Sequence, residues 1–203
     1  NPVAKMPFVE VISAEGGDAT MAARAASFVR QIDRLPLPVR SAPGFLVNAV
    51  LGPYMLEAMR AVDEGIAPET IDQAMTDFGM PMGPVELADM VGLDIVLAAG
   101  KQLAGTETEP PRCLVERCSN GQLGKKSGHG FYNYAKGQPE KRAAGAVPPG
   151  LADRLVAPLL ARTKELVAAG IVSDADLADA GVIFGTGFAP YTGGPLNYSL
   201  QHR

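Results

Sequence analysis

Tryptophan is absent from this chain, and only two cysteines and two histidines occur among its 203 residues. Cys113 and Cys118 are too few for a disulfide framework and have no histidines in zinc-finger spacing beside them. Two free thiols in a reducing cytoplasm are the simple inference. His129 lies between glycines and His202 lies beside the terminus, with no acid or nucleophile close by in sequence, so neither is read as catalytic. Positive charge is scarce too: the formal net charge is -4 and no basic run exceeds Lys125-Lys126, which argues against a nucleic-acid partner. No apolar run approaches the roughly 20 residues that span a bilayer. The chain opens on Asn1-Pro2-Val3, without methionine or signal peptide, and the expectation is a piece cut from something longer.

What is there is an ordinary globular composition, 47% hydrophobic and 20% charged. The stretch that organises it is residues 43–59, PGFLVNAVLGPYMLEAM. It is apolar on nearly every face, with one amide, Asn48, set inside it. A helix of that kind is buried at the centre of a bundle. Pro43 fits the first turn, Pro53 removes an internal hydrogen bond, and Gly65 suits the end.

Residues 7–12, PFVEVI, read as a buried strand, and Asp18 caps a helix with apolar positions Ala22, Ala25, Ala26, Val29 and Ile32. Residues 35–39 suit an edge strand because Pro36 and Pro38 cannot donate to a neighbour. That is the rhythm of an α/β unit. From Ser41 onward helix follows helix, starting at Pro68, at Gly83-Pro84, at Asp94 and after Pro110-Pro111. A glycine-rich stretch, GKKSGHGFYNY, covers residues 124–134, and the small, charged, Pro/Gly-rich residues after it read as a linker. Past it, Pro158, Gly170-Ile171, the acids Asp174 and Asp176, and Gly194-Pro195 repeat the order of Pro53, Gly65-Ile66, Glu69 with Asp72, and Gly83-Pro84. An internal duplication is the economical reading.

Glu10 is a carboxylate in an apolar strand. It either orients a histidine from a buried position or points to water by strand alternation. Asn48 offers an uncharged N–H to a substrate carbonyl, or else makes a satisfied interhelical hydrogen bond. The glycine-rich stretch lacks the order of a phosphate-binding loop, so its aromatics are expected to staple it to the bundle, with Lys126 free to reach a ligand. Asp72, Glu86 and Asp89 form no metal-ligand set with a histidine and are read as surface charges.

Residues 1–12 (NPVAKMPFVEVI), 42–48 (APGFLVN), 79–94 (GMPMGPVELADMVGLD) and the GKKSGHGFYNY stretch resemble successive signatures of the 3-hydroxyacyl-CoA dehydrogenases. Residues 170–198 resemble the second C-terminal domain of the long, multifunctional fatty-acid oxidation proteins. The resemblance implies a mainly α fold. Residues 1–42 are then a short α/β remnant of an NAD-binding Rossmann domain, 43–136 a first helical domain, 137–150 a linker and 151–203 a shortened second helical repeat. It implies oxidation of a 3-hydroxyacyl-CoA to the 3-ketoacyl-CoA with NAD as cofactor and no metal. A histidine just before the position of Asn1 would be the general base. Asn1 would lie near the nicotinamide, Glu10 beside the histidine, Asn48 at the substrate carbonyl and Lys126 near the cofactor. Phe184 stands where long-form relatives commonly carry tyrosine, in the substrate-contacting position of the second domain, and Ala49 stands where arginine is usual. The resemblance also implies a homodimer, for which the apolar helix offers an interface, and a thiolase subunit as a further partner. Without its base and cofactor domain the chain alone is expected to be inactive. Two other readings stay open: a related dehydrogenase of small hydroxy acids, and a non-catalytic helical assembly module.

Overall fold

The computed structural model describes residues 6–103 and 109–202. Strand β1 (Phe8–Ser13) pairs in parallel with β2 (Leu35–Arg40), Glu10 opposite Leu37, and helix α1 (Ala19–Gln31) makes the crossover. The Asp18 carboxylate accepts the Thr20 N–H at 2.7 Å and starts that helix as expected. Strand alternation divides β1 into two working faces. Val9 and Val11 pack with Ala26 and Val29 of α1, while Phe8, Glu10 and Ile12 face the other way. Pro36 and Pro38 lie in β2, which has β1 as its neighbour on one side, so their missing N–H groups cost no ladder bond.

The helices that follow are α2 (Val47–Asp63), α3 (Pro68–Phe78), α4 (Pro84–Val91), α5 (Leu93–Leu103) and α6 (Arg112–Ser119). After a 3-10 turn at Lys125–Ser127 come a hairpin of β3 (Asn133–Ala135) and β4 (Gln138–Glu140), then α7 (Leu151–Ala168), α8 (Ala175–Thr186) and α9 (Pro195–Gln201). The fold is mainly helical with two small sheets among the described residues.

Helix α2 is the buried central element that the sequence implied: Ala49, Val50, Tyr54, Ala58, Met59 and Ala61 are fully buried. It begins at Val47 rather than near Pro43. The reason is local: Gly44 and Phe45 take left-handed backbone angles (φ 76° and 52°), which no helix continues through. A Cβ on Gly44 would stand 2.8 Å from the backbone N of Ala49, so glycine is required there twice over.

Packing groups the described residues into two compact units, the first running up to Val50 and resuming at Leu159, the second from Leu51 to Pro158. In the second unit, residues expected as a linker are ordered by specific contacts. Lys136 and Gly137 (φ 52° and 77°) make the two-residue turn of the hairpin. Beyond it the Lys141 ammonium donates to Asp72 at 3.1 Å and pairs with Glu86 at 2.6 Å. The Arg142 and Gly145 N–H groups donate to Glu69 and Thr70 at 3.3 and 3.0 Å. The charged residues of a stretch that its small, Pro/Gly-rich composition marked as a linker instead complement the acids of α3 and α4. No helix of the described residues is long and apolar enough to cross a membrane.

Candidate active site

In the first unit, Glu10 sits on the inner face of β1 and turns toward the beginning of α2. Its Oε1 accepts the Leu46 N–H at 2.8 Å, with a longer contact of 3.4 Å from the Val47 N–H. These are among the N–H groups that the start of a helix leaves without partners, and a carboxylate there also meets the positive end of the helix dipole. Burial pushes the Glu10 carboxyl above its ordinary value, and the two N–H groups hold the rise in check. Glu10 is thus half-buried and engaged by backbone N–H groups rather than turned wholly to water.

Asn48 is the next residue after Val47, in the first turn of α2, and it is exposed. Its amide is therefore at the surface and not enclosed between packed helices. Phe184, 45% exposed, lies on α8 in the same unit. That helix packs on β1, with Gly181 against Leu37 and Leu46 and Gly185 against Phe8 and Val47. Glu10, Asn48 and the helix bearing Phe184 thus converge on the start of α2. Asn1 lies outside the described residues.

Lys126 belongs to the second unit. Its ammonium meets Asp94 Oδ1 at 2.5 Å, both side chains 44% exposed, and the pairing lowers the Asp94 pKa. The glycine-rich loop that carries Lys126 is built around Asp89, which is fully buried. Asp89 accepts the Phe131 and Tyr132 N–H groups, each at 2.9 Å, and Gly124 and Gly130 approach it so closely that a Cβ on either would overlap it. Burial raises the Asp89 pKa, and those N–H groups oppose the rise. The aromatics anchor the loop as expected: the Tyr132 hydroxyl donates to Asp72 at 2.7 Å and the Arg117 guanidinium lies 4.0 Å over the Phe131 ring. A dinucleotide needs open N–H groups for its phosphates, and here a carboxylate already takes two of them. The described residues do not fit a complete NAD site. Lys126 is a single contact at most. No group of three or more His, Cys, Asp or Glu residues suited to a metal occurs among the described residues.

Reading Asp72 and Asp89 as surface charges is overturned, since they are 2% and 0% exposed. Asp72 accepts the Val85 N–H at 2.8 Å and a Glu86 N–H contact at 3.2 Å, together with Tyr132 and Lys141. The missed signal was the acid standing about three helical turns before a Gly-Pro helix start.

An α/β crossover followed by repeated helices is the architecture of a known dehydrogenase class. A 3-hydroxybutyryl-CoA dehydrogenase from Escherichia coli superposes with a TM-score of 0.79 over 100% of this chain and 62% of its own, at 24% identity, a likeness of fold. An (S)-3-hydroxybutyryl-CoA dehydrogenase from Ralstonia eutropha is 36% identical over 67% of this chain and 50% of its own, with a TM-score of 0.62. Residues 44–134 match the family model described as 3-hydroxyacyl-CoA dehydrogenase, C-terminal domain, and the chain belongs to that family. A fatty acid oxidation complex subunit alpha from a Shewanella species is 34% identical over 98% of this chain. The chain spans 31% of that relative's length.

Proposed function

We propose that this chain is the C-terminal part of an NAD-dependent 3-hydroxyacyl-CoA dehydrogenase of fatty-acid β-oxidation, which oxidises a 3-hydroxyacyl-CoA to the 3-ketoacyl-CoA. The observation that carries the reading is the position of Glu10: a half-buried carboxylate held by the Leu46 and Val47 N–H groups at the start of α2, beside the exposed Asn48. The histidine that the family places just before Asn1 lies outside this sequence. When it removes the hydroxyl proton, it becomes an imidazolium, and the Glu10 carboxylate stabilises that cation. Asn48, in the first turn of α2, donates to the thioester carbonyl and orients C3. Phe184 adds apolar surface on the side of α8. The hydride acceptor is held by residues beyond those described, with Lys126 as one added contact.

A homodimer, a thiolase partner and a cytoplasmic setting complete the proposal. The free cysteines Cys113 and Cys118 support the last. Helix α2, expected to offer the dimer interface, is buried within its own chain. The exposed Met90, Val91 and Ile95 of α4 and α5 are one apolar surface that could serve instead.

The test is NAD-dependent oxidation of a 3-hydroxyacyl-CoA by the full-length parent, its Glu10→Gln variant and the 203-residue chain alone. A fall in kcat of about a hundredfold or more in Glu10→Gln, with no turnover by the chain alone, is the expected result. An active parent indifferent to Glu10→Gln overturns the role of Glu10. An inactive parent favours the non-catalytic assembly reading.

A further inference from the structure

We propose that Gly185, in the second helical repeat, is a positioning residue for Glu10, acting through Val47. The inference deepens the reading above and rests on Glu10 acting on the catalytic histidine.

The two N–H groups that hold Glu10 belong to Leu46 and Val47, and the side chains of those same residues press on α8. A Cβ on Gly181 would stand 2.6 Å from Leu46 Cδ2 and 2.7 Å from Leu37 Cδ2. A Cβ on Gly185 would fall well inside 3.0 Å of Val47 Cγ2, and 3.4 Å from Phe8 Cε1. Real Cβ atoms essentially never come so near. Both glycines lie inside α8 without positive φ, so the backbone does not call for them. Each costs the helix about 1 kcal/mol relative to alanine. Close approach to the start of α2 is what they provide.

The two contacts differ in what they transmit. Leu46 ends in a flexible isobutyl group that can swing aside. Val47 is β-branched and sits at the first position of α2, where one χ1 rotamer is strongly preferred. Pressure on its Cγ2 is therefore passed to its own backbone, and the Val47 N–H contact to Glu10 is already long at 3.4 Å. The docking of the second repeat is fixed independently by the Arg40 N–H, which donates to the Ile171 carbonyl at 2.8 Å at the end of β2. With α8 anchored there, an added methyl on Gly185 displaces Val47 rather than the helix. The Glu10 carboxylate then loses a donor, binds its proton more tightly, and stabilises the imidazolium less.

The test uses the full-length parent, with kcat and the pH profile of kcat/KM as readouts. Gly185→Ala is expected to lower kcat about tenfold and to move the acid limb of the profile to lower pH, because the histidine loses part of its cationic stabilisation. Gly185→Ala combined with Val47→Ala removes the colliding methyl and is expected to restore both. Where Gly185→Ala does not fold, Val47→Ile enlarges the same contact from the other side and is expected to shift the limb in the same direction. A Gly185→Ala enzyme with unchanged kcat and profile, beside a crippled Glu10→Gln, overturns the positioning role alone. A loss that Val47→Ala does not rescue overturns it as well, since the defect is then general to α8. Full activity in Glu10→Gln overturns both this inference and the function of Glu10 on which it rests.

Discussion

The carboxyl group of Asp72 occupies the space that a Cβ on Gly83 would need, and from there it accepts the first N–H groups of α4. The same relationship recurs between Asp179 and Gly194, where Asp179 accepts the Leu196 and Asn197 N–H groups at 2.7 and 3.1 Å. In each case the glycine precedes the proline that opens a helix, Pro84 or Pro195. The proline lacks an N–H of its own, so the carboxylate reaches past it to the next two donors. One capping device thus appears twice in the chain.

Gly83→Ala places a methyl on the buried Asp72 carboxyl and is expected to destabilise the protein by about 3 kcal/mol, through overlap and the loss of the cap. Gly65→Ala is the contrast. Gly65 has φ 96° but open space around its Cβ position, so only backbone strain opposes the change, about 1 kcal/mol. Urea unfolding of the two variants beside the parent chain measures the difference.

Asp72→Asn is expected to cost about 2 kcal/mol near neutral pH, because the amide turns a donor toward groups that need an acceptor. Burial pushes the Asp72 carboxyl above the ordinary 3.8, with Tyr132 and Lys141 opposing. A carboxyl raised in the folded state holds its proton more tightly than in the unfolded chain. Its stabilisation is complete below 3.8 and declines as pH rises through the folded value. The gap between wild type and Asp72→Asn should therefore narrow as pH rises from about 4, which thermal unfolding across that range will show.

Lys126→Ala removes an exposed ion pair with Asp94 and is expected to change stability by less than about 0.5 kcal/mol. If Lys126 approaches the cofactor, the KM for NAD of the full-length parent rises several-fold while kcat changes little. An unchanged KM removes Lys126 from the site.

Cys113 is buried, its Sγ donating to the Met59 carbonyl at 3.4 Å, and burial followed by Asp63 pushes the thiol up to about 12. Cys118 is half-buried and its pKa is also raised, chiefly by burial. A disulfide reagent at mildly alkaline pH is expected to leave Cys113 untouched in the folded protein, to modify Cys118 slowly, and to titrate both after denaturation. Rapid modification of Cys113 in the native state would show that this part of α6 opens readily.

Much of the scaffold was written in local signals. Asp18 before an amphipathic run gave α1, the two prolines gave an edge strand, and the apolar run gave a buried α2. What escaped depended on partners distant in the chain. The start of α2 moved because Gly44 and Phe45 turn left-handed, a choice the flanking apolar residues do not announce. Asp72 and Asp89 looked like solvated helix charges because nothing nearby in sequence reveals a buried carboxylate. Their partners, Val85 and Tyr132, lie 13 and 43 residues further on. The residue that caps as Asp72 does is Asp179, not the Asp174 or Asp176 that spacing suggested, because the turn before α8 is longer. The direction of Glu10 was likewise decided by the Leu46 N–H, 36 residues away.

The glycine-rich loop around Asp89 has the composition, though not the residue order, of a phosphate-binding loop. Its amides already point at an anion, and that anion is covalently part of the protein. The loop is a receptor carrying its own ligand, with a local concentration that no free phosphate in solution can match. Inorganic phosphate would have to displace a tethered carboxylate there. A neutral residue at position 89 would leave two donors, the Phe131 and Tyr132 N–H groups, without their acceptor and remove the anchor that shapes the loop.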